Sequence, residues 1–476
     1  MNKTELLSPA GSLKNMEYAF AYGADAVYAG QPRYSLRVRE NEFNRIENIA
    51  QGVQRAHELG KQFYIASNIS PHNDKVKSYL RDMEEVVAMK PDALIMSDPG
   101  IIMLVREKWP DLPIHLSVQA NAVNWATVKF WQKQGLTRVI LSRELSLDEI
   151  AEIKQRCPEM EIEVFVHGAL CIAYSGRCLL SGYMTHRDSN QGACTNSCRW
   201  KYQTHEAENS AGGEIVPSQP VSHLDPSLEK LAFTASAKSP SQEWPQEQLS
   251  QPHLDEDLSK VSPLYLLQEK GRPGEFMPAY EDEHGTYIMN SKDLRAVQHV
   301  KRLIDIGVES LKIEGRTKSY YYAARTAQVY RRAIDDALAG REFNMALMDD
   351  LEGMANRGFT EGFYRRHVPD EYQNYETGNS RSTKQLFVAD IVNANMAENT
   401  LSLEAKNKFE VGDHLTLMTP KGNIAFNVAQ LRNTKNQQTV EAALGSGYLV
   451  DLDIPELSQL GLSPDQLAKG LLVKDL

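Results

Sequence analysis

Cysteine is scarce in this chain, with five in 476 residues. So few thiols exclude a disulfide-stapled scaffold and leave the fold to a hydrophobic core. Long apolar runs are missing as well. No stretch of about 18 uncharged apolar residues occurs, so no membrane-spanning helix is expected. The opening MNKTELLSPAGSL carries no long apolar run, and neither a signal peptide nor an anchor is expected there. Basic charge is not in excess. Fifty-two Lys and Arg stand against 63 Asp and Glu, a net charge of −11, and the isoelectric point is near 5.7. That balance argues against non-specific nucleic-acid or membrane binding by the whole surface, though not against a local basic groove. Two hydrolase signatures are absent too. There is no H-E-x-x-H and no G-x-S-x-G, and HELGK at His57 lacks the second histidine. A peptidase would find no recognisable chemistry here.

What is present describes an ordinary globular chain. Hydrophobic residues make up 42% and mean hydropathy is −0.45, enough for a sizeable core. A cytoplasmic location is expected, where thiols stay reduced.

The first 170 residues alternate short apolar strands with amphipathic helices. ELLSPAG (Glu5–Gly11), ADAVYAG (Ala24–Gly30), KQFYIASNI (Lys61–Ile69), DALIMSD (Asp92–Asp98), PIHLSVQA (Pro113–Ala120), RVILSREL (Arg138–Leu145) and EIEVFVHG (Glu161–Gly168) read as strands. SLDEIAEIKQ opens a helix with Ser146 as N-cap and Glu149 three residues on, a capping box. Near-continuous apolar strands between helices mean βα units and a parallel sheet. Seven or more such units favour a closed barrel over an open sheet. Composition shifts at Lys201 to a Ser-, Pro- and Gln-rich stretch without a core of its own. Order returns with SLKIEGR (Ser310–Arg316) as a strand and Ser319–Gly340 as a long helix with a glycine stop. From Arg381 onward the pattern alternates between Gly and Asn turns. The fold expected is therefore α/β. A TIM-barrel-like (β/α) N-terminal domain occupies 1–200 and 263–345, and a flexible insertion 201–262. A helical linker follows at 346–380, and a small C-terminal all-β, barrel-like domain at 381–476.

Four of the five cysteines, Cys171, Cys178, Cys194 and Cys198, are spaced C-x6-C-x15-C-x3-C directly after the last strand of the first series. Four soft thiolates suit zinc or an iron–sulfur cluster, and spacing alone leaves both open. Gly168, Gly176, Gly182 and Gly192 would let the backbone bend around a bulky centre. Cys157, before Pro158 at a helix end, reads as structural.

The run carried by Glu163, Phe165, Gly168, Cys171, Gly176, Cys178 and Ser181 resembles the signature of the U-32 collagenase-like peptidase family. ELLSPAGSLKNMEYAFAYGADAVYAG and SLKIEGRTKSYYYAARTAQVYRRAIDDALAG look like two further blocks of that family, and the terminal β module resembles its C-terminal domain. GQPRYSLRVRENEFN and HLSVQANAVNWATVKFWQ look like its tRNA-hydroxylating members. The resemblance implies oxygen-independent formation of 5-hydroxyuridine at the wobble position of tRNA, with hydroxylation of a ribosomal-RNA cytidine or of a quinone precursor as the family's alternatives. It implies prephenate as the associated metabolite and a [4Fe-4S] cluster on the four cysteines. It also implies an electron donor that the sequence does not identify.

Barrel strands aim their C-terminal ends at the chemistry. Asn68, Gln119 and Asn121 stand there as candidate substrate-binding residues, and Arg143, Glu144 and His167 as candidate catalytic ones. Asp98, before Pro99, reads better as a helix cap. Lys312, Glu314 and Arg316 alternate in LKIEGR, which puts all three on one strand face lining a polar pocket, or pairs Lys312 with Glu314. Arg316 or Arg143 would suit a carboxylate such as prephenate, because a guanidinium fork matches two oxygens. RTKSYYYAAR and RGFTEGFYRRH mix cations with aromatics and are candidates for RNA contact.

Overall fold

The computed structural model describes residues 4–36, 42–170, 292–354 and 384–454, with 356, 358–365, 457 and 461–476. Between 202 and 286 it describes six strands, at 202–209, 215–217, 265–269, 276–279, 281–282 and 285–286. Eight parallel strands close on themselves. β1 (Glu5–Pro9), β2 (Ala26–Gly30), β3 (Gln62–Ser67), β4 (Ala93–Met96), β5 (Ile114–Leu116), β6 (Arg138–Ile140) and β7 (Glu161–Ala169) pair in sequence order. β8 (Ser310–Ile313) then pairs with both β7 and β1. The ring is a TIM-type barrel, in which every strand needs apolar residues on both faces. Leu6, Val27, Ile65, Leu94, Val139 and Leu311 are all fully or nearly fully buried.

The helices start where the sequence supplies caps. α1 (Leu13–Ala21), α2 (Ile46–Glu58), α3 (Asn73–Ala88), α4 (Pro99–Lys108), α5 (Trp125–Lys133), α6 (Leu147–Arg156), α7 (Val300–Ile306) and α8 (Tyr320–Leu338) follow in chain order. Ser12, Asp98, Asn124, Ser146 and Ser319 each accept a bond from an N–H of the first turn, and Ser146 with Glu149 forms the full capping box. Two short strands, Asp293–Arg295 and Phe359–Thr360, extend the wall beside β7.

Two expectations are corrected. The closing strand ends at Ile313 rather than Arg316, because Gly315 takes φ 150° and turns the chain out of the sheet. The stretch expected to be a flexible insertion carries strands Tyr202–Asn209 and Ile215–Pro217. With Tyr265–Glu269 and Phe276–Ala279 they form a four-stranded antiparallel sheet in a separate unit, Arg199–Met289. Polar composition concealed this sheet, whose main pairing joins two strands far apart in the chain.

After the helix Ala346–Glu352, the C-terminal residues build an eight-stranded antiparallel sheet around Val388, Leu403, Leu417, Val450 and Leu472. This module locks onto the outer helices of the barrel. Tyr22 donates its hydroxyl to the carbonyls of Met418 and Lys469, both at 2.9 Å. Asp390 accepts from Lys14 at 3.0 Å and from the Tyr320 hydroxyl at 2.8 Å.

Candidate active site at the mouth of the barrel

The interior of the barrel is charged at its base. Arg138, at the start of β6, reaches Glu5 of β1 at 2.7 Å and Glu163 of β7 at 3.1 Å. Lys312 of β8 donates to the other oxygen of Glu163 at 2.7 Å. Tyr64 and Ser310 donate to Glu5 at 2.6 and 2.8 Å. These strands are not all neighbours, so the network crosses the interior. Burial works against the Arg138 charge, but Glu5 and Glu163 outweigh it and hold the guanidinium above its ordinary range. Burial pulls the Lys312 ammonium below its usual value, with Glu163 opposing. His115 packs edge-on to Tyr64 and is held neutral by burial, with Arg138 and Lys312 adding repulsion.

Above this floor lies a ring of aromatic rings and cations. Phe165 carries the Arg143 guanidinium 3.6 Å from its ring centre, with Lys312 Nζ at 5.5 Å. Tyr28 takes Lys312 at 4.3 Å and Arg316 at 5.7 Å. At the rim, Asn68 donates to Gln119 Oε1 at 2.9 Å and Ser117 Oγ at 3.2 Å, and accepts from the Leu36 N–H at 3.3 Å. Asn121 adopts φ 55° and accepts from Ser142 at 2.7 Å. Arg316 donates to Ser35 Oγ and the Leu36 carbonyl, both at 2.8 Å. Glu144 follows Arg143, half-buried. The structure thus joins Asn68 to Gln119 directly, and ties Arg143, Lys312 and Arg316 together through two shared rings. Asp98 is a helix cap, accepting from the Ile101 N–H at 3.0 Å.

Two candidates are placed elsewhere. Lys312 pairs with Glu163, not Glu314. Glu314 lies beyond the end of β8; its N–H donates to the His167 carbonyl at 2.8 Å and its own carbonyl accepts from Tyr322 at 2.7 Å. His167 turns away from the mouth, toward α8. It is enclosed by Tyr322, Tyr330 and Phe359, with Nδ1 3.4 Å from the Tyr330 hydroxyl. Burial pushes its imidazole down to about 3. The unfolded chain therefore takes up a proton below about pH 6.5 that the folded protein refuses, and stability is lost as pH falls from there toward 3. His167→Gln is expected to lose about 2 kcal/mol less than the native protein between pH 7 and pH 5. Urea unfolding at the two pH values checks this.

Cys171, Cys178, Cys194 and Cys198 lie outside the described residues. β7 ends at Ala169, so the segment carrying them leaves from the strand-end face. Four thiols are by their chemistry a donor set for a soft metal centre. Among the described residues no group of three or more His, Cys, Asp or Glu is placed to hold a metal ion. Residues 11–374 match the model of peptidase family U32, and residues 383–464 that of the U32 C-terminal domain. The chain belongs to peptidase family U32. One relative, tRNA hydroxylation protein P of Haemophilus influenzae, is 59% identical over 454 residues, covering 95% of this chain and 94% of its own. The tRNA hydroxylation protein P of Escherichia coli is 58% identical over 459 residues, covering 96% and 95%. The 23S rRNA 5-hydroxycytidine C2501 synthase of E. coli is 29% identical over 379 residues, or 80% of this chain and 45% of that protein.

The U32 signature residues have visible work in this barrel. Glu163 neutralises Arg138 and Lys312, and Phe165 is the platform for Arg143. Gly168, at φ 103°, lets the Glu314 carbonyl approach to where a side chain would stand. Glu5, Tyr64, His115 and Arg138 were passed over in the sequence. Their signal is a single polar residue at a position otherwise read as buried strand.

Proposed function

We propose that this protein hydroxylates tRNA, converting the wobble uridine to 5-hydroxyuridine without dioxygen and with prephenate as the associated metabolite. The observation that carries the reading is the 58–59% identity, over at least 95% of the chain, to tRNA hydroxylation protein P of two bacteria. The likeness to an rRNA 5-hydroxycytidine synthase supports C5 of a pyrimidine as the reacting atom. Replacing C5–H by C5–OH is a two-electron oxidation of the ring. With water as the oxygen source, two electrons and two protons leave the ring, and the electrons must pass to an acceptor. Cys171, Cys178, Cys194 and Cys198 would hold a [4Fe-4S] cluster, which when bound supplies redox capacity at the strand-end face.

The remaining roles fall to side chains of the mouth. Asn68, Gln119 and Asn121 carry the amide donors and acceptors that suit the edge of a uracil. Arg143, held over the Phe165 ring, presents a preorganised fork to a carboxylate such as that of prephenate. Lys312 and Glu163 form the buried floor beneath them. Glu144, next to Arg143, is the carboxylate left for this end of the barrel. Among the described residues no helix is long and apolar enough to cross a membrane; action on tRNA in the cytoplasm, beside a redox partner still to be identified, is part of the proposal.

Nucleoside mass spectrometry of tRNA tests the reading. Cells deleted for this gene should lack 5-hydroxyuridine and its derivatives. The native gene should restore them, and Cys171→Ala should not. Protein purified without oxygen should contain iron and sulfide, and Cys171→Ala should contain little of either. Unchanged 5-hydroxyuridine in the deleted cells would remove the function.

A further inference from the structure

Beside the mouth, where the loops after β1 and β8 meet, lies a cleft of about 650 Å³. The two loops are pressed together: a Cβ on Gly11 would stand 2.0 Å from the Arg316 carbonyl. Asn15 fixes the second loop by donating to the Lys318 carbonyl at 2.8 Å. The lining is polar and positive. Arg45, Arg316 and Lys318 face one carboxylate, Glu42, with Ser12, Asn48 and Thr317 adding hydroxyl and amide groups. Helices α1 and α2 both begin here, at Ser12 and Arg45, and bring the positive ends of their dipoles to the same cleft.

The charges differ in how they are held. Arg316 is bound to Ser35 and Leu36, so it is a fixed charge. Arg45 is exposed, and its side chain has no hydrogen-bond or ion-pair partner among the described residues. An exposed guanidinium, a lysine, short hydroxyl and amide side chains and two helix N-termini are the groups that contact nucleic-acid phosphates. The loop after the eighth strand is also where barrels commonly bind phosphate. Because the whole chain is acidic, with net charge −11, a polyanion has reason to settle at such a place rather than spread over the surface.

Resting on the tRNA reading above, we infer that this cleft takes a backbone phosphate of the tRNA beside the nucleotide whose base enters the mouth, with Arg45 and Lys318 gripping its oxygens. The test measures binding of unmodified tRNA to the full-length protein by fluorescence anisotropy across a salt series. Arg45→Glu combined with Lys318→Glu should weaken binding about tenfold or more. It should also flatten the slope of log K against log salt by about 0.7 for each phosphate no longer neutralised. Lys133→Glu, exposed on α5, should change neither quantity. Arg45→Ala, which removes an exposed side chain without reversing charge, should give a smaller loss of the same kind and guards against misfolding of the double variant. Native affinity and slope in the double variant would overturn the cleft assignment while leaving the tRNA reading intact. Failure of the native protein to bind tRNA at low salt would overturn both.

Discussion

Glu163→Ala should destabilise the protein by about 3–5 kcal/mol, the usual cost of removing one partner from a buried ion pair. The Glu163 side chain is fully buried, and its two oxygens serve different cations, Lys312 at 2.7 Å and Arg138 at 3.1 Å. Without it Arg138 keeps Glu5 and Glu161, but Lys312 loses the one anionic partner it has among the described residues. Burial already pulls the Lys312 ammonium below its usual value, and Glu163 is the group that opposes this. Lys312→Met alone should cost less, because Glu163 still holds Arg138. The double variant Glu163→Leu with Lys312→Met should recover part of the loss, since apolar side chains of similar volume can replace a buried pair. Urea midpoints of the three variants check the order. A loss below about 1 kcal/mol in Glu163→Ala would mean that water reaches the barrel floor.

Gly168→Ala carries the second large effect. Gly168 sits at φ 103°, and a Cβ there would lie 2.4 Å from the Glu314 carbonyl oxygen. The backbone conformation alone costs about 1–3 kcal/mol for a residue with a side chain. The clash is with backbone, so the ends of β7 and β8 must also part. Gly60→Ala is the matched control: it has φ 64° but nothing within 4 Å of the added atom. Gly168→Ala should lower the thermal midpoint well beyond Gly60→Ala. It should also abolish tRNA hydroxylation in cells, because the chain enters the four-cysteine segment just after this turn. Equal midpoints for the two variants would show that the approach to Glu314 relaxes at no cost.

The barrel was legible because local signals agree with one another. Apolar runs such as AVYAG and ALIM stand between helices with caps at Ser12, Asp98 and Ser146, and each such unit declares its own boundaries. Pairings between distant strands were not legible. Lys312 has Glu314 two residues away in sequence, yet its partner is Glu163 across the β7–β8 register. Counting by twos from Glu163 and Phe165 also puts His167 on the inward face. In the structure the pairing shifts, with Lys312 opposite Phe165 and Ile313 opposite His167. That irregularity rotates the histidine to the helix side, and no local pattern announces it. The candidates Asn68, Gln119 and Arg143 were found by a general rule about strand ends rather than by anything special to their neighbours.

The barrel is completed by a strand that the ribosome makes late. β1 to β7 have all emerged once Ala169 is out, but their ring stays open until Ser310–Ile313 follows. At about 5–20 residues per second, translation of residues 170–309 leaves β1 and β7 with bare edges for roughly 7 to 28 s. Unpaired parallel edges are templates for association with other chains. Nascent chains should therefore depend on trigger-factor-like holding during this interval. A message truncated between codons 170 and 309 should yield insoluble product, because it encodes all seven strands of the open ring but not the one that closes it.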